Sequence, residues 1–383
     1  MRFCFLFPHP FTNVHLTKDT GKIPEVIARQ LGWDVEIVCH IQGSLPGRDR
    51  EIPHVHIHHV SVRGKGRIEP AFLKYLLANA HRIDVLMLMH FDMNTKLYGV
   101  FFKLLNPHGF LWNKLDLNKE YVQSDEFMPR GVWPPRQALS SCLQHRFLRQ
   151  VDLISTESAG VGELAARLYP KIRSKLATVP CGVDAVKMPI PDYSGPRERL
   201  ILNVASLGTE PKATDILLEA FARSKLWPEW QLVLVGPVDP GFQPWLNSFT
   251  DRYPDAWRAV RIIGPVESRQ ALANWYARSL VFCMPSRHES WGLALNEAGY
   301  YGCACVSTDF SAAVDMLDGG QCGVLCAKNN VDSLATKLIQ VCGSDATMDA
   351  YGRKFQRRII ECFTWDNIIR DWHAVFSTRT KRF

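Results

Sequence analysis

The chain has 383 residues, of which 46% are hydrophobic and 22% are charged. This length suits two domains of ordinary size, and the composition excludes a disordered or fibrous protein. No run of about 18 uncharged apolar residues occurs, so no membrane-spanning helix is expected. The net charge is +7, and residues 1–196 hold 24 Lys+Arg against 18 Asp+Glu. This excess favours an anionic partner, either phosphate groups or an acidic membrane surface, unless it forms only a solvated face.

Short apolar runs predict the strands of the first half, and helical stretches lie between most of them. In residues 22–32, for example, the apolar residues share one face and Gly32 ends the helix. The first apolar run is interrupted by Pro8 and Pro10, so it indicates a core strand and not a signal peptide. The predicted strands are 2–7, 34–40, 54–60, 84–89, 109–116, 151–156 and 176–180.

The second half repeats this alternation after a proline-rich linker at 186–199. Near-continuous apolar strands that alternate with helices imply parallel sheets covered on both faces. We therefore expect two tandem Rossmann-like doubly wound α/β domains, at 1–190 and 197–362. Their ligand sites should lie at the carboxyl ends of the strands and face a cleft between the domains. The predicted strands are 199–206, 231–236, 259–264, 280–285, 303–308 and 323–326.

The last segment, 363–383, is predicted to be a helix that returns to the first domain. Thr364 is a plausible N-cap, and the apolar residues that follow it recur at helical spacing. The residues on the apolar face are Trp365, Ile368, Ile369, Trp372 and Phe376.

The eleven cysteines are scattered, mostly within apolar runs, and no C-x-x-C pair occurs. Cys303 with Cys305, and Cys322 with Cys326, are the closest pairs, and neither has zinc-ligand spacing. The pattern predicts reduced thiols and a cytoplasmic protein without a structural metal or disulfide.

The segment 285–302, PSRHESWGLALNEAGYYG, places Glu289 before a predicted helix start at Gly292 and Glu297 within the helix. A helix start offers free N–H groups to a phosphate, and a glycine lets the phosphate approach. The carboxylates would repel phosphate but suit the hydroxyls of a sugar or ribose. The pattern therefore indicates a nucleotide sugar, although the spacing alone also fits a helix capped by one acid with a second on its solvated side.

This segment resembles the motif of the retaining family 4 glycosyltransferases, which have the two-domain GT-B fold. The resemblance extends over the whole chain and is stronger in the second domain. The loop at 18–24 further resembles that of bacterial enzymes of surface polysaccharide assembly, which include lipopolysaccharide enzymes. The residues that fit the motif are Pro285, Ser286, Glu289, Trp291, Gly292, Glu297, Ala298 and Gly302, and the segments 180–184, 203–221, 232–237, 261–279 and 363–365 also match.

The resemblance implies roles for these residues in binding a donor. Glu297 would bind the ribose hydroxyls, and Glu289 would contact the transferred sugar. The N–H groups of Trp291, Gly292 and Leu293 would hold the sugar-proximal phosphate.

A lysine is the second feature that the resemblance identifies in this domain. Lys212 would offset the charge of the leaving group. Ser206 stands where many relatives have an arginine, so Lys212 acts alone or with Arg287. Pro265 and Val266 would border the base, unless they form a simple turn.

The first domain offers fewer candidates. Gly21, preceded by Asp19 and Thr20, is expected to contact the donor or acceptor.

Two further strands of this domain end in polar residues. His90 or Asp92 would touch outer hydroxyls of the sugar, and His90 could instead be structural. Lys114 or Asp116, after the other strand, would help to bind the sugar.

A histidine-rich strand also invites a metal interpretation. His54, His56 and His58 fall on one face, but no acidic or cysteine partner completes a zinc site, so a polar strand face is expected. No Asp-x-Asp occurs, and the resemblance implies neither a metal nor another cofactor.

The expected protein is a cytoplasmic retaining glycosyltransferase of the hexosyl type that acts in cell-surface polysaccharide assembly. It would take a nucleoside-diphosphate sugar as donor and a glycan or lipid-linked glycan as acceptor, and its basic first domain would bind an anionic membrane peripherally. No nucleic-acid partner is expected, since no binding signature occurs. Two alternatives remain: a nucleotide-sugar epimerase of the same fold, and a non-catalytic nucleotide-sugar-binding subunit.

Overall fold

A computed structural model describes residues 1–62, 69–124, 127 and 135–380, with the backbone alone for 135–140. The chain divides into two compact units, Met1–Cys181 with Trp365–Phe383, and Gly182–Thr364. The predicted terminal segment 363–383 includes residues 381–383, which lie outside the described residues.

The first unit contains a parallel sheet in the order β3-β2-β1-β4-β5-β6-β7. Its strands are β1 (Arg2–Phe11), β2 (Asp34–Ile41), β3 (His56–His59), β4 (Val85–Met89), β5 (Phe110–Leu115), β6 (Leu153–Thr156) and β7 (Leu176–Thr178). Its helices before residue 182 are α1 (Asp19–Leu31), α2 (Arg48–Glu51), α3 (Pro70–Asn79), α4 (Met93–Leu105), α5 (Lys119–Gln123), α6 (Pro135–Gln150) and α7 (Ala159–Leu168). Short 3-10 helices occupy Asn13–Thr17, Ala80–Arg82 and Pro170–Lys175.

The second unit contains a parallel sheet in the order β10-β9-β8-β11-β12-β13. Its strands are β8 (Glu198–Val204), β9 (Gln231–Val235), β10 (Val260–Gly264), β11 (Ser279–Met284), β12 (Ala304–Thr308) and β13 (Val324–Cys326). Its helices are α8 (Thr214–Ser224), α9 (Gln243–Arg252), α10 (Pro254–Trp257), α11 (Arg269–Arg278), α12 (Leu293–Tyr300), α13 (Ser311–Met316), α14 (Val331–Cys342) and α15 (Asp345–Cys362). Short 3-10 helices occupy Glu210–Lys212, Pro240–Phe242 and Asp318–Gly320.

Both sheets follow the Rossmann strand order, and the first unit adds β7 at one edge. The central strands are buried on both faces, as in β4, whose five residues Val-Leu-Met-Leu-Met are all buried. The predicted pair of doubly wound α/β domains is therefore confirmed. In such sheets the direction of winding reverses between two neighbouring strands, here β1 and β4 in the first unit and β8 and β11 in the second.

The terminal helix α16 (Trp365–Arg379) belongs to the first unit, as predicted. Its indole at Trp372 stacks on Trp112 of β5, with ring centroids 4.8 Å apart, and lies 6.3 Å from the ring of Phe3. The buried residues of α16 are the five predicted for its apolar face, Trp365, Ile368, Ile369, Trp372 and Phe376.

Three predicted boundaries are wrong. Strand β1 does not end at residue 7 but continues through Pro8 and Pro10 to Phe11, with a shift in its pairing to β2 between Phe7 and Pro10. Helix α1 begins at Asp19 and not at residue 22, so Gly21 lies in its first turn. The start is fixed locally, because the N–H of Thr20 donates to Asp19 Oδ1 and its hydroxyl donates to His15 O. The third strand is shorter than 54–60, since β3 covers only His56–His59.

The cysteines are all free thiols, and most are buried. Within the described part of the chain, no helix has the length and apolar character that crossing a bilayer requires.

Candidate active site

The second unit brings two loops together where its winding reverses. One loop follows β8 and contains Ser206 and Lys212, and the other follows β11 and runs from Pro285 to Gly292. Because β8 and β11 are hydrogen-bonded neighbours, their carboxyl ends lie side by side. The backbone N–H of Arg287 donates to Pro211 O at 2.8 Å, which ties the two loops directly.

An ion pair joins these loops. Lys212 Nζ lies 2.6 Å from Glu289 Oε1, and the lysine and glutamate side chains are 29% and 10% exposed. The same carboxylate oxygen accepts a hydrogen bond of 2.9 Å from the hydroxyl of Ser286, a buried residue. Thr308 in turn donates to Ser286 O at 2.6 Å. Glu289 is therefore held in one orientation, with a cation beside it that is still partly open to solvent.

Arg287 braces the loop instead of lying free beside it. Its Nε donates to Asn329 Oδ1 at 2.7 Å, Nη1 donates to Glu210 O at 2.8 Å, and Nη2 pairs with Asp215 Oδ2 at 2.6 Å. All three guanidinium nitrogens thus have protein acceptors. The arrangement favours a structural role, and the predicted contribution of Arg287 to donor binding stays a prediction.

The loop ends at Gly292, the N-cap of α12. Its φ of 94° lies in the left-handed region, and a Cβ there would be 3.2 Å from both Met284 Sδ and Phe310 Cζ. The positive φ therefore favours glycine, and the space beside its Cα is tight. The first turn of α12 begins at Leu293, and N–H groups there have no partner within the helix. Trp291 is buried against Phe363, with ring centroids 5.3 Å apart.

Glu297 lies in the middle of α12. Its Oε2 accepts a hydrogen bond of 2.9 Å from the hydroxyl of Tyr276 on α11. Burial raises the pKa of Glu297, although the Tyr276 hydrogen bond and the charge of Arg269 act to lower it. The carboxylate is oriented by Tyr276 and retains lone pairs for further donors.

The other two candidates of this unit lie in loops. Ser206 is exposed, and its carbonyl accepts a hydrogen bond of 2.8 Å from the hydroxyl of Thr209. Val266 is half-buried in the turn after β10. Their predicted donor contacts remain predictions.

In the first unit, Gly21 is buried and contacts its own chain. A Cβ at this position would lie 2.5 Å from Leu16 O and 2.8 Å from His15 O. The glycine is thus explained by the close packing of the 3-10 helix Asn13–Thr17 against α1. A ligand contact at Gly21 stays a prediction.

His90 follows β4 at the point where this sheet reverses its winding. It has a left-handed φ of 67°, and its N–H donates to Lys114 O at 3.0 Å. Its ring lies 5.2 Å from that of His9, which is on β1. Burial lowers the pKa of His90, and the neighbouring His9 lowers it further. His90 is therefore a neutral imidazole near pH 7 that can donate one hydrogen bond and accept another.

Asp92 caps helix α4. Its Oδ1 accepts from the N–H of Thr95 at 2.8 Å, and its Oδ2 lies 3.3 Å from His9 Nε2. Burial acts to raise the pKa of Asp92, but the adjacent His9 and the hydrogen bond from the N–H of Thr95 outweigh it and the pKa is lowered. Asp92 thus lies beside His9, a residue that the sequence did not single out.

A buried ionic cluster surrounds Lys114. Its side chain is fully buried, and Nζ lies 2.8 Å from Asp19 Oδ2, 2.6 Å from Glu157 Oε1 and 3.9 Å from Cys181 Sγ. Cys181 donates to Glu157 Oε1 at 2.9 Å. The three N–H groups of the ammonium therefore match three acceptors. Asp116, the neighbouring candidate, is exposed.

The titration of this cluster follows from its burial. Burial acts to lower the pKa of Lys114, but Asp19, Cys181 and Glu157 outweigh it and the pKa is raised. Burial raises the pKa of Glu157 to about 7, although the charge of Lys114 opposes the rise. Sequence analysis did not single out Glu157 and gave Cys181, within the matching segment 180–184, no role; their positions after β6 and β7 were the available signal.

The same cluster is where a metal would be sought. Ligand atoms of Asp19, Glu157 and Cys181 lie within 4.8 Å of one another, the one such group among the described residues. The ammonium of Lys114 lies at hydrogen-bond distance from both carboxylates, so the chain already supplies the cation there. The arrangement does not fit a metal ion.

The comparisons with known proteins bear on the second unit first. Residues 198–344 match the family model described as "Glycosyl transferases group 1". This range contains the Lys212–Glu289 pair, Tyr276 and Glu297.

Curated relatives and a solved structure extend the likeness. The chain is 27% identical over 244 residues to an MMP alpha-(1->4)-mannosyltransferase of Mycolicibacterium hassiacum, covering 63% of this chain and 57% of that one. It is 29% identical over 227 residues to a D-inositol 3-phosphate glycosyltransferase of Jonesia denitrificans, covering 55% and 53%. The alignments span about half the length of these relatives.

The solved structure is Anabaena Alr3699/HepE in complex with UDP. It superimposes with a TM-score of 0.73 at 17% identity, over 99% of this chain and 100% of the other. This likeness shows that both proteins share the GT-B fold.

Proposed function

We propose that the protein is a retaining glycosyltransferase. It moves a hexose-type sugar from a nucleoside diphosphate to a hydroxyl of a glycan or lipid-linked glycan, in the assembly of a cell-surface polysaccharide. The observation that carries the proposal is the Lys212–Glu289 pair at the point where the second sheet reverses its winding. The family match over 198–344 and the glycosyltransferase relatives support the reaction class.

The donor is bound along α12 and the loop before it. Glu297, oriented by Tyr276, accepts hydrogen bonds from the ribose hydroxyls. The N–H groups near Gly292 and Leu293 bind the sugar-proximal phosphate at the helix start. Because the solved neighbour Alr3699/HepE is described with UDP, a uridine nucleotide is the first base to test.

Catalysis then consists of positioning and charge stabilisation. Lys212 stabilises the negative charge that develops on the leaving diphosphate, and Glu289 fixes the transferred sugar by its hydroxyls. The acceptor hydroxyl attacks from the face that the diphosphate leaves. Its proton passes to the departing phosphate oxygen, so no nucleophile from the protein is needed.

The first unit contributes the acceptor side in this proposal. His90 and the His9–Asp92 pair offer hydrogen-bonding groups at the carboxyl ends of β1 and β4. The basic excess of residues 1–196 supports peripheral binding to an anionic membrane on its cytoplasmic face.

The first experiment is a thermal-shift panel of nucleotide sugars, since a ligand that binds the folded state raises its melting temperature. We expect one base and sugar to give a clear shift, and the same compound to be consumed only when a glycan acceptor is added. Conversion of the donor sugar to its epimer without acceptor would instead identify an isomerase. No shift with any nucleotide sugar would contradict the proposal.

A further inference from the structure

The first unit has a cavity of about 730 Å³ at the amino ends of its last two strands. Helix α6 ends at Gln150 just before β6, and the 3-10 helix Pro170–Lys175 leads into β7. Residues from both segments line the cavity. His90, Asp92 and Glu157 follow the carboxyl ends of their strands, so the cavity lies at the opposite edge of the sheet.

Much of the cavity wall is apolar. Its walls are held together by Lys175, whose ammonium donates to Leu148 O, Arg149 O and Val151 O at 2.7–2.8 Å and so caps α6. The ammonium of Lys175 therefore already donates its hydrogen bonds to backbone carbonyls. The apolar and aromatic residues of the lining are Leu148, Leu168, Tyr169, Pro170 and Ile172.

The other residues of the lining are polar or charged: Gln144, His145, Arg149, Lys171 and Lys175. Arg149 and Lys171 are exposed at the cavity, and within the described ranges neither has an ion-pair partner. Gln144 is only 9% exposed, and its Oε1 accepts from Lys96 at 2.8 Å. Its amide nitrogen has no acceptor in the part of the chain that the structure describes. The amide of Gln144 and two cations without an ion-pair partner among the described residues thus meet an apolar wall.

We propose that this cavity binds an anionic phospholipid. The phosphate would lie near Arg149, Lys171 and the amide of Gln144, and the start of an acyl chain would pack along the apolar wall. A free phosphate would leave that wall unused, and a neutral lipid would leave the cations unused. The cavity would be the place where the protein binds the membrane. This inference rests on the membrane association in the proposed function and not on the proposed sugar transfer.

The test is calorimetric titration of the full chain with short-chain lipids below their micellar concentration. Dihexanoylphosphatidylglycerol should bind, with affinity that falls as salt rises. Dihexanoylphosphatidylcholine, which lacks the net charge, and glycerol 3-phosphate, which lacks the chains, should both bind at least tenfold more weakly.

The matched variants remove two charges each. R149Q/K171Q should weaken binding of the anionic lipid by roughly 30-fold, since each cation near an anionic lipid contributes about fivefold. K337Q/K354Q, which changes two lysines on helices of the second unit, should stay within about twofold of the unchanged protein. Both variants should have the melting temperature of the unchanged protein. The changed side chains of Arg149, Lys171 and Lys354 are exposed, and that of Lys337 is half-buried.

Three results would overturn the site. They are equal binding of both lipids, binding of glycerol 3-phosphate as tight as that of the anionic lipid, and unchanged binding in R149Q/K171Q. Light scattering that showed a concentration-dependent dimer lost in R149Q/K171Q would also overturn it, since a second copy would then occupy the cavity. Because no donor or acceptor is present, lipid binding and sugar transfer succeed or fail separately.

Discussion

Glu289 and a donor diphosphate would compete for the ammonium of Lys212. In the structure the lysine is 2.6 Å from Glu289 Oε1, and any phosphate that recruits Lys212 must weaken that pair. Replacing Glu289 by glutamine keeps the shape and the hydrogen bond from Ser286 but removes the competing charge. We therefore predict that E289Q binds a nucleoside diphosphate more tightly while transferring sugar more slowly.

The size of the effect follows from the burial of the pair. Exposed ion pairs contribute about 0.2–1 kcal/mol, and loss of one partner of a buried pair costs about 3–5 kcal/mol. Lys212 is 29% exposed and Glu289 is 10% exposed, so an intermediate value of about 1–2 kcal/mol applies. Diphosphate binding in E289Q should tighten by roughly 5–30-fold. Transfer should fall by about 100-fold or more, because an oriented group at the reacting sugar is lost.

The assay is calorimetric titration with UDP, GDP and ADP, combined with turnover of the matching nucleotide sugar. K212M should weaken diphosphate binding, and E229Q, an exposed acid that pairs with Arg199, should change neither quantity. If E289Q weakened diphosphate binding as K212M does, the competition between Glu289 and the diphosphate would be refuted.

Three further predictions concern single carboxylates and the buried lysine. E297A should raise the donor Kd by about 10–100-fold with a smaller effect on kcat, since hydrogen bonds to a charged group contribute about 1.5–3 kcal/mol each; an unchanged Kd in titration would contradict the ribose contact. K114M should lower the free energy of unfolding in urea by about 3–5 kcal/mol, because it leaves buried carboxylates without their cation; a loss below about 1 kcal/mol would show that the cluster relaxes into solvent. The raised pKa of Glu157, about 7 against 4.5 when unfolded, means that the folded state keeps a proton that the unfolded state loses. Its contribution to stability should therefore be full below about pH 4.5 and fall as pH rises to about 7. E157Q should make the free energy of unfolding in urea less dependent on pH over that range. An unchanged pH dependence in E157Q would count against the raised pKa of Glu157.

Much of the fold could be predicted because burial in a parallel sheet leaves a continuous apolar run. The five residues of β4 are an example, and the spacing of Trp365, Trp372 and Phe376 predicted the face that α16 buries. The start of α12 after Gly292 was also predictable, since glycine is among the residues accepted at an N-cap and an apolar stretch follows it.

The environments of the candidate residues depend on contacts between distant segments. Lys114 meets Asp19 and Glu157 only because the topology places β5, β6 and the start of α1 at one edge of the sheet. Arg287 appeared available for a phosphate, but its acceptors come from the loop after β8, from α8 and from the residues before α14. Local sequence patterns carry no information on such pairings.

The most direct test of the central claim is transfer itself. The nucleotide sugar identified by thermal shift is incubated with a glycan acceptor and the unchanged protein, and product is measured by mass spectrometry. We predict an acceptor heavier by one sugar residue with the α or β configuration of the donor retained, and no product with E289A, which should still unfold in one cooperative transition. Wild-type turnover by E289A, or an inverted linkage in the product, would contradict the account.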